Sequence, residues 1–257
     1  MSGLTEWYNR DGAWLGYFVV VIAVLATVLI CIELGSVGPK DLASWLFPLF
    51  GTYIGAFLAF RLQERKEQAA QRQAKVDELN KALLALSMQY NHLVNFEQNV
   101  LVKYVAPMER LLGLPAESLG SSLDARVNAE KLVFLMHSGE VNLILELSVE
   151  QGRYDACLDV VATRCDLLVR EVHPLIERKG LVGKPVDEQI LMDAFGERIF
   201  GSLVTATDQV YQHVTSTVES LLAMARRLHS VAKKIFPDEK FILVGPPPEK
   251  GARPLDE

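Results

Sequence analysis

WLGYFVVVIAVLATVLICIELGSVGPKDLASWLFPLFGTYIGAFLAF, residues 14–60, is the stretch on which the fold turns. Leu15 to Ile32 is a run of 18 residues without a charge, and Ala43 to Phe60 is a second run of 18. At about 1.5 Å of rise per residue each makes roughly 27 Å of helix, enough for most of a ~30 Å hydrocarbon core. Only the ten residues 33–42 separate them. A soluble core able to surround both runs would need more apolar partners than the rest of the chain supplies. The pair therefore predicts a transmembrane hairpin over 14–60, with spans 15–32 and 43–60.

The flanks set its direction. Arg61, Arg65, Lys66, Arg72 and Lys75 follow the second run, whereas the loop 33–42 has Lys40 against Glu33 and Asp41. The positive-inside bias puts residues after 60 in the cytoplasm, the loop outside and residues 1–13 back in the cytoplasm. Trp14, Tyr17 and Trp45 fall near the ends of the runs, where amphipathic rings favour the headgroup level. The basic cluster also suits anionic lipid headgroups. Within the second run Gly51, Gly55 and Ala59 recur every four residues, a face that lets two helix backbones approach closely, and Pro48 is expected in its first turn.

Half of the 257 residues are hydrophobic, and the two runs account for the excess. Residues 61–257 carry 24 Lys and Arg against 28 Asp and Glu, a net charge of −4 that argues against nucleic acid as a partner. Cys31, Cys157 and Cys165 form neither a disulfide framework nor a CxxC pair and read as buried thiols. The N-terminus lacks the basic cluster of a cleavable signal.

From Leu62 the helical pattern continues as a stalk over 61–105. Leu62, Ala69, Val76, Leu83 and Tyr90 lie seven apart, and Leu79, Leu86, Leu93 and Val100 fill the companion position, with Arg65 and Arg72 on that register nearer the membrane. Pro107, Gly113 and Pro115 close the helix. Ser122 or Asp124 is expected to cap a helix running to His137, and Ser138-Gly139 to end it. Glu140 to Leu147 and Tyr154 to Val172 read as further helices meeting near Gly152, with Pro174 kinking or ending the run and Lys179-Gly180, Gly183 and Pro185 closing it. Asp187 is placed to cap a last long helix. Its seam runs Leu203, Val210, Thr217, Met224, Val231 with Thr207, Val214, Leu221, Leu228, Ile235. Pro237 stops it, and 237–257 read as a disordered tail with one apolar docking patch, Phe241 to Val244.

The chain contains no glycine-rich phosphate loop, HExxH, GxSxG or paired CxxC. His92, His137, His173, His213 and His229 are scattered and none sits in a Glu-x-x-His pair, so no catalytic, cofactor or metal residue is assigned. Asp155 with Asp159 reads as a solvated face.

The expectation is an all-α protein of the inner membrane, with both termini cytoplasmic: a two-helix transmembrane hairpin, then a cytosolic helical bundle over 61–236 with long heptad-patterned helices. Its seam residues are Val76, Leu79, Leu83, Leu86 and Leu93 with Val210, Val214, Leu221 and Leu228. The expected role is a non-enzymatic effector or signalling scaffold whose bundle binds an unidentified cytosolic protein and controls packing of the spans. Membrane lipid and further copies of the chain are the other partners. A passive membrane tether and an enzyme with an unrecognised site in the bundle are the alternatives. Over residues 14–104 the layout resembles membrane-disrupting effectors of bacterial phage-defence systems, which implies perturbation of the membrane as an output.

Overall fold

Three long helices carry the computed structural model, which describes residues 39–116, 119 and 125–245. Helix α1 spans Pro39–Asn99, α2 Val141–Leu167 and α3 Glu188–Ile235, and no strand occurs among the described residues. The fold class is all-α. Pro39 opens α1, where a missing N–H costs nothing. Thereafter the chain has neither Gly nor Pro from Ala56 to Asn99 and is rich in Ala, Leu, Gln, Glu and Lys, which favours one long helix. The helix has already begun where a loop to residue 42 was expected, and Pro48 lies inside it, its carbonyl accepting a bond from the Thr52 hydroxyl at 2.8 Å.

Among the described residues no helix is long and apolar enough to cross a membrane. The expected hairpin is therefore not supported by the fold. Residues 15–32 lie outside the described residues, as do Trp14 and Tyr17. The run 43–60 is diluted by Pro48, Gly51, Thr52, Tyr53 and Gly55 and passes without a break into the charged turns after Arg61.

Contacts divide the chain into two units, Met1–Ala70 and Gln71–Glu257, with α1 contributing to both. In the first unit the described part is the opening of α1, whose large side chains are bare: Phe47 is 79% exposed and Phe60 68%.

In the second unit α1 and α2 run parallel, since Gln89 bonds Gln151 and His92 bonds Tyr154. Helix α3 runs against both: Glu140, Glu146, Glu150 and Arg164 of the α2 side meet Lys234, Arg227, Ser220 and Thr207, while Glu97 of α1 meets Thr215. A parallel pair needs a crossover, and residues 100–140 provide it. Here the sequence reading fails. Instead of a helix to His137, residues 125–128 are non-helical and only a 3-10 turn, Ala129–Leu132, and a single helical turn, Phe134–His137, follow. The reason is visible. The Ala125 carbonyl and the Val127 N–H are held by the side chains of buried Gln89 and half-buried Gln151, bonds a helix would consume. Ser122 and Asp124 lie outside the described residues.

Gly152 does not interrupt α2. A wide turn at Leu168–Val172, in which the His173 N–H reaches back five residues to Leu168, takes the chain to Pro174, which has no N–H to offer; a last helical piece, His173–Arg178, follows. Gly180, at φ 62°, ends the run. The Asp187 carboxylate accepts the Ile190 N–H at 2.8 Å and caps α3. After α3 the chain does not leave the bundle: Asn80 bonds the backbone of Lys240 and Ile242, and Val244 is buried. The apolar patch of the tail thus docks on its own chain; residues 246–257 lie outside the described residues.

Two apolar clusters form the core. The larger gathers Leu79, Leu83, Leu86, Leu93, Leu143, Leu147, Val161, Val210, Val214, Leu221 and Leu228; the smaller gathers Leu111, Leu168, Val172, Leu191, Phe195, Phe200 and Leu203.

Candidate functional site

Between the two clusters stands an arginine. Along α2 Arg164 follows Val161 of the larger cluster and precedes Leu168 of the smaller, and along α3 Thr207 holds the same place between Val210 and Leu203. Arg164 is 2% exposed, and among the described residues it meets no carboxylate within bonding distance. Its Nε donates to the Thr207 hydroxyl at 3.0 Å, and one terminal nitrogen donates to the carbonyls of Arg110 and Leu111 at 3.1 Å and of Leu114 at 3.2 Å. Those carbonyls end the wide turn Glu109–Gly113, so the guanidinium serves as its C-terminal cap. Burial pushes the Arg164 pKa down, and the carbonyl dipoles stand in for a counter-ion.

The same segment is tied on its other side. The Tyr211 hydroxyl donates to the Tyr104 carbonyl at 2.7 Å and is also 3.2 Å from that of Leu101, while the Arg110 guanidinium lies 4.5 Å over the Tyr211 ring. Burial raises the Tyr211 pKa. At Gly113 an added Cβ would come 2.9 Å from the Tyr104 ring.

A second polar group lies deeper in the bundle. Gln89, fully buried, donates to Ala125 and Gln151 at 2.8 Å. His92 Nδ1 and the Tyr154 hydroxyl are 2.8 Å apart, and burial lowers the His92 pKa while raising that of Tyr154 to about 12. The Ser220 hydroxyl donates to Glu150 at 2.5 Å, and Arg153 pairs with the same carboxylate at 3.3 Å. Cys157 and Cys165 are buried, and desolvation lifts the Cys157 thiol to about 11.

Outside, at the end of the α2/α3 pair, opens a cleft of about 670 Å³. Thr163, Asp166 and Arg170 form one wall and Arg198, Ser202, Thr205 and Gln209 the other, over a floor of Leu167, Gly201 and Ala206. Arg170 pairs with Asp166 at 3.4 Å and Arg198 with Glu171 at 2.9 Å. Each guanidinium is neutralised by a carboxylate, and hydroxyls and an amide alternate between them. Neither His nor Cys lines the cleft. Such a surface suits a polar protein segment that supplies its own donors and acceptors. Among the described residues no three His, Cys, Asp or Glu side chains gather as metal ligands.

The residues singled out from the sequence are distributed as follows. Val76, Leu79, Leu83, Leu86 and Leu93 of α1 and Val210, Val214, Leu221 and Leu228 of α3 are all buried in the larger cluster. Leu62 is exposed, and beyond Leu221 the buried row passes through Ala225 in place of Met224. Leu221 and Leu228 stay seven apart, and the buried row widens by one position, to Ala225 and then Ala232, as a helix of 3.6 residues per turn slowly carries a heptad row around its axis. Gly51 and Gly55 have nothing within 4 Å of an added Cβ, and Ala59 is exposed. Arg61 lies over the Phe57 ring and 3.9 Å from Glu64; Arg65 and Lys66 are exposed. Arg72 instead reaches Glu239 at 3.3 Å and Asp238 at 3.8 Å, and the Lys75 ammonium sits 5.8 Å over the Phe134 ring. The basic cluster is thus split between exposed and bundle-bound members. Asp155, read as solvated, accepts bonds from Arg126 and Gln151. The sequence patterns single out none of Arg164, Gln89 and Gln151, although each falls on the apolar stripe of its helix, where a polar residue signals a buried partner.

The chain matches no protein-family model, no curated protein and no solved structure.

Proposed function

We propose that this protein is a non-enzymatic membrane effector or signalling scaffold in which the helical bundle receives a protein partner and α1 carries the consequence to an apolar anchor. One observation carries the reading. A single helix, α1, supplies both the bare, uncharged apolar surface before Arg61 and the central seam of the bundle. Bare Phe47, Phe50, Ile54, Leu58 and Phe60 need a cover, and lipid is the cover that the following Arg61, Arg65 and Lys66 favour. In the finer form of the proposal, residues 15–32 and 43–60 make an inner-membrane hairpin with both termini cytoplasmic, copies associate through Gly51, Gly55 and Ala59, and the cleft between Arg170 and Arg198 is the partner's seat.

The test starts with the intact chain expressed in cells. Membranes are collected and washed with alkaline carbonate, and membrane potential and dye entry are followed in parallel. The proposal expects the chain in the carbonate-resistant pellet, and depolarisation that Gly51→Ile with Gly55→Ile abolishes. A chain recovered in the supernatant overturns the membrane anchor. A chain in the pellet that leaves the potential untouched at high expression, and still works when 14–60 is exchanged for an unrelated hairpin, is a tether.

A further inference from the structure

The outward face of α2 carries a second surface, and it does not depend on the membrane reading. Val141, Leu145 and Val149, one turn apart, are at least half exposed, Leu145 by 66%. Beyond them the same face continues in the small residues Gly152 and Ala156, both exposed, with nothing within 4 Å of a Cβ placed on Gly152. Asn142, Leu145, Val149, Gly152, Ala156 and Asp159 alternate in steps of three and four, the spacing of a helix-pair seam.

We infer that this face is a two-fold contact between two copies of the chain, with their α2 helices antiparallel about an axis between Glu150 and Gln151. The seam is complementary to itself in that one register. Val149 then lies opposite Gly152 of the second copy, Leu145 opposite Ala156, and Asn142 opposite Asp159, so each large side chain meets a small one and the amide meets a carboxylate. The flanks agree. Glu146 and Arg153 share a flanking position seven residues apart, and the two-fold sets each beside the other's counterpart, giving two opposite-charge contacts. Within one copy Glu146 is already paired with Arg227, Arg153 with Glu150 and Asp155 with Arg126, so no bare like charge opposes the approach.

The test is disulfide trapping in the intact chain. Val149→Cys, oxidised in the lysate of expressing cells, is compared with Val182→Cys, which is 68% exposed but far along the chain from α2, and with the unmodified chain as blank. The expected result is at least tenfold more covalent dimer from Val149→Cys. Adding Leu145→Asp lowers that yield at least tenfold. The folded state is unchanged by it, because residue 145 faces solvent in the single copy; circular dichroism and the melting temperature check this. The trap persists when Gly51→Ile and Gly55→Ile are also present. Equal trapping at both positions, trapping onto other proteins, indifference to Leu145→Asp, or loss in the Gly51/Gly55 background would each overturn the inference.

Discussion

At the scale of single residues the informative groups are polar ones in apolar places. Replacing Arg164 by Met keeps the volume but removes the donors for three backbone carbonyls, which should cost about 3 kcal/mol, and Arg164→Lys should recover little because an ammonium lacks the fork. Urea titration of both variants checks this, with the loss expected to coincide with easier proteolysis at 104–116. His92 gives a pH dependence of known sign. Its folded pKa is depressed by burial, so as pH falls below the ordinary imidazole value of ~6.5 the unfolded chain takes up the proton first. Stability is full above that pH and drains away as the folded value is approached. His92→Gln should flatten the stability profile between pH 7 and 5; an unchanged slope would move the titration elsewhere. Of these two residues, Arg164 was legible in principle, standing between Val161 and Leu168 on a stripe that otherwise reads as core. The partnership of His92 with Tyr154 was not, since 62 residues separate them and only the parallel packing of α1 on α2 brings them together.

At the scale of elements, the long helices were readable because their seams repeat over many turns, whereas the crossover was not. Residues 125–128 have letters that permit a helix, and they are non-helical because buried Gln89 and half-buried Gln151, from other elements, take their backbone bonds. Tertiary partners overruled local preference. The drift from Met224 to Ala225 has a different origin, in helix geometry, as 3.6 residues per turn carries a strict heptad row slowly around a straight helix. Glycines give the sharpest element-scale prediction. Gly196 interrupts α3 at φ 77° and ψ 157°, a conformation that side chains disfavour, so Gly196→Ala should destabilise by about 1–3 kcal/mol. Five residues on, Gly201 is helical with open space around it, and Gly201→Ala should stabilise by about 0.5–1 kcal/mol. Thermal melts of the two variants should therefore move in opposite directions. The cleft beside Gly201 could not be read from the letters, because its lining is ordinary solvent-facing polarity until the ends of α2 and α3 are packed together.

At the scale of the whole molecule, the arrangement is one helix shared between an apolar opening segment and a bundle whose core is parted by an arginine layer. Gly51→Ile with Gly55→Ile touches only the opening segment, where added Cβ atoms meet nothing, so denaturation of the bundle followed through buried Tyr90 and Tyr154 should keep its midpoint. A lowered midpoint would mean that the segment supports the bundle. The parallel course of α1 and α2 has a further consequence, for synthesis. Because α3 is the element that runs against both, the seam from Val76 to Phe96 leaves the ribosome more than 100 residues before its partners from Leu203 onward exist. At about 5–20 residues per second that is on the order of 10 s in which a nascent helix carries its leucines without the cover of α3. The chain must pass that interval without its last long helix, and slowing translation between residues 100 and 200 should raise the aggregated fraction.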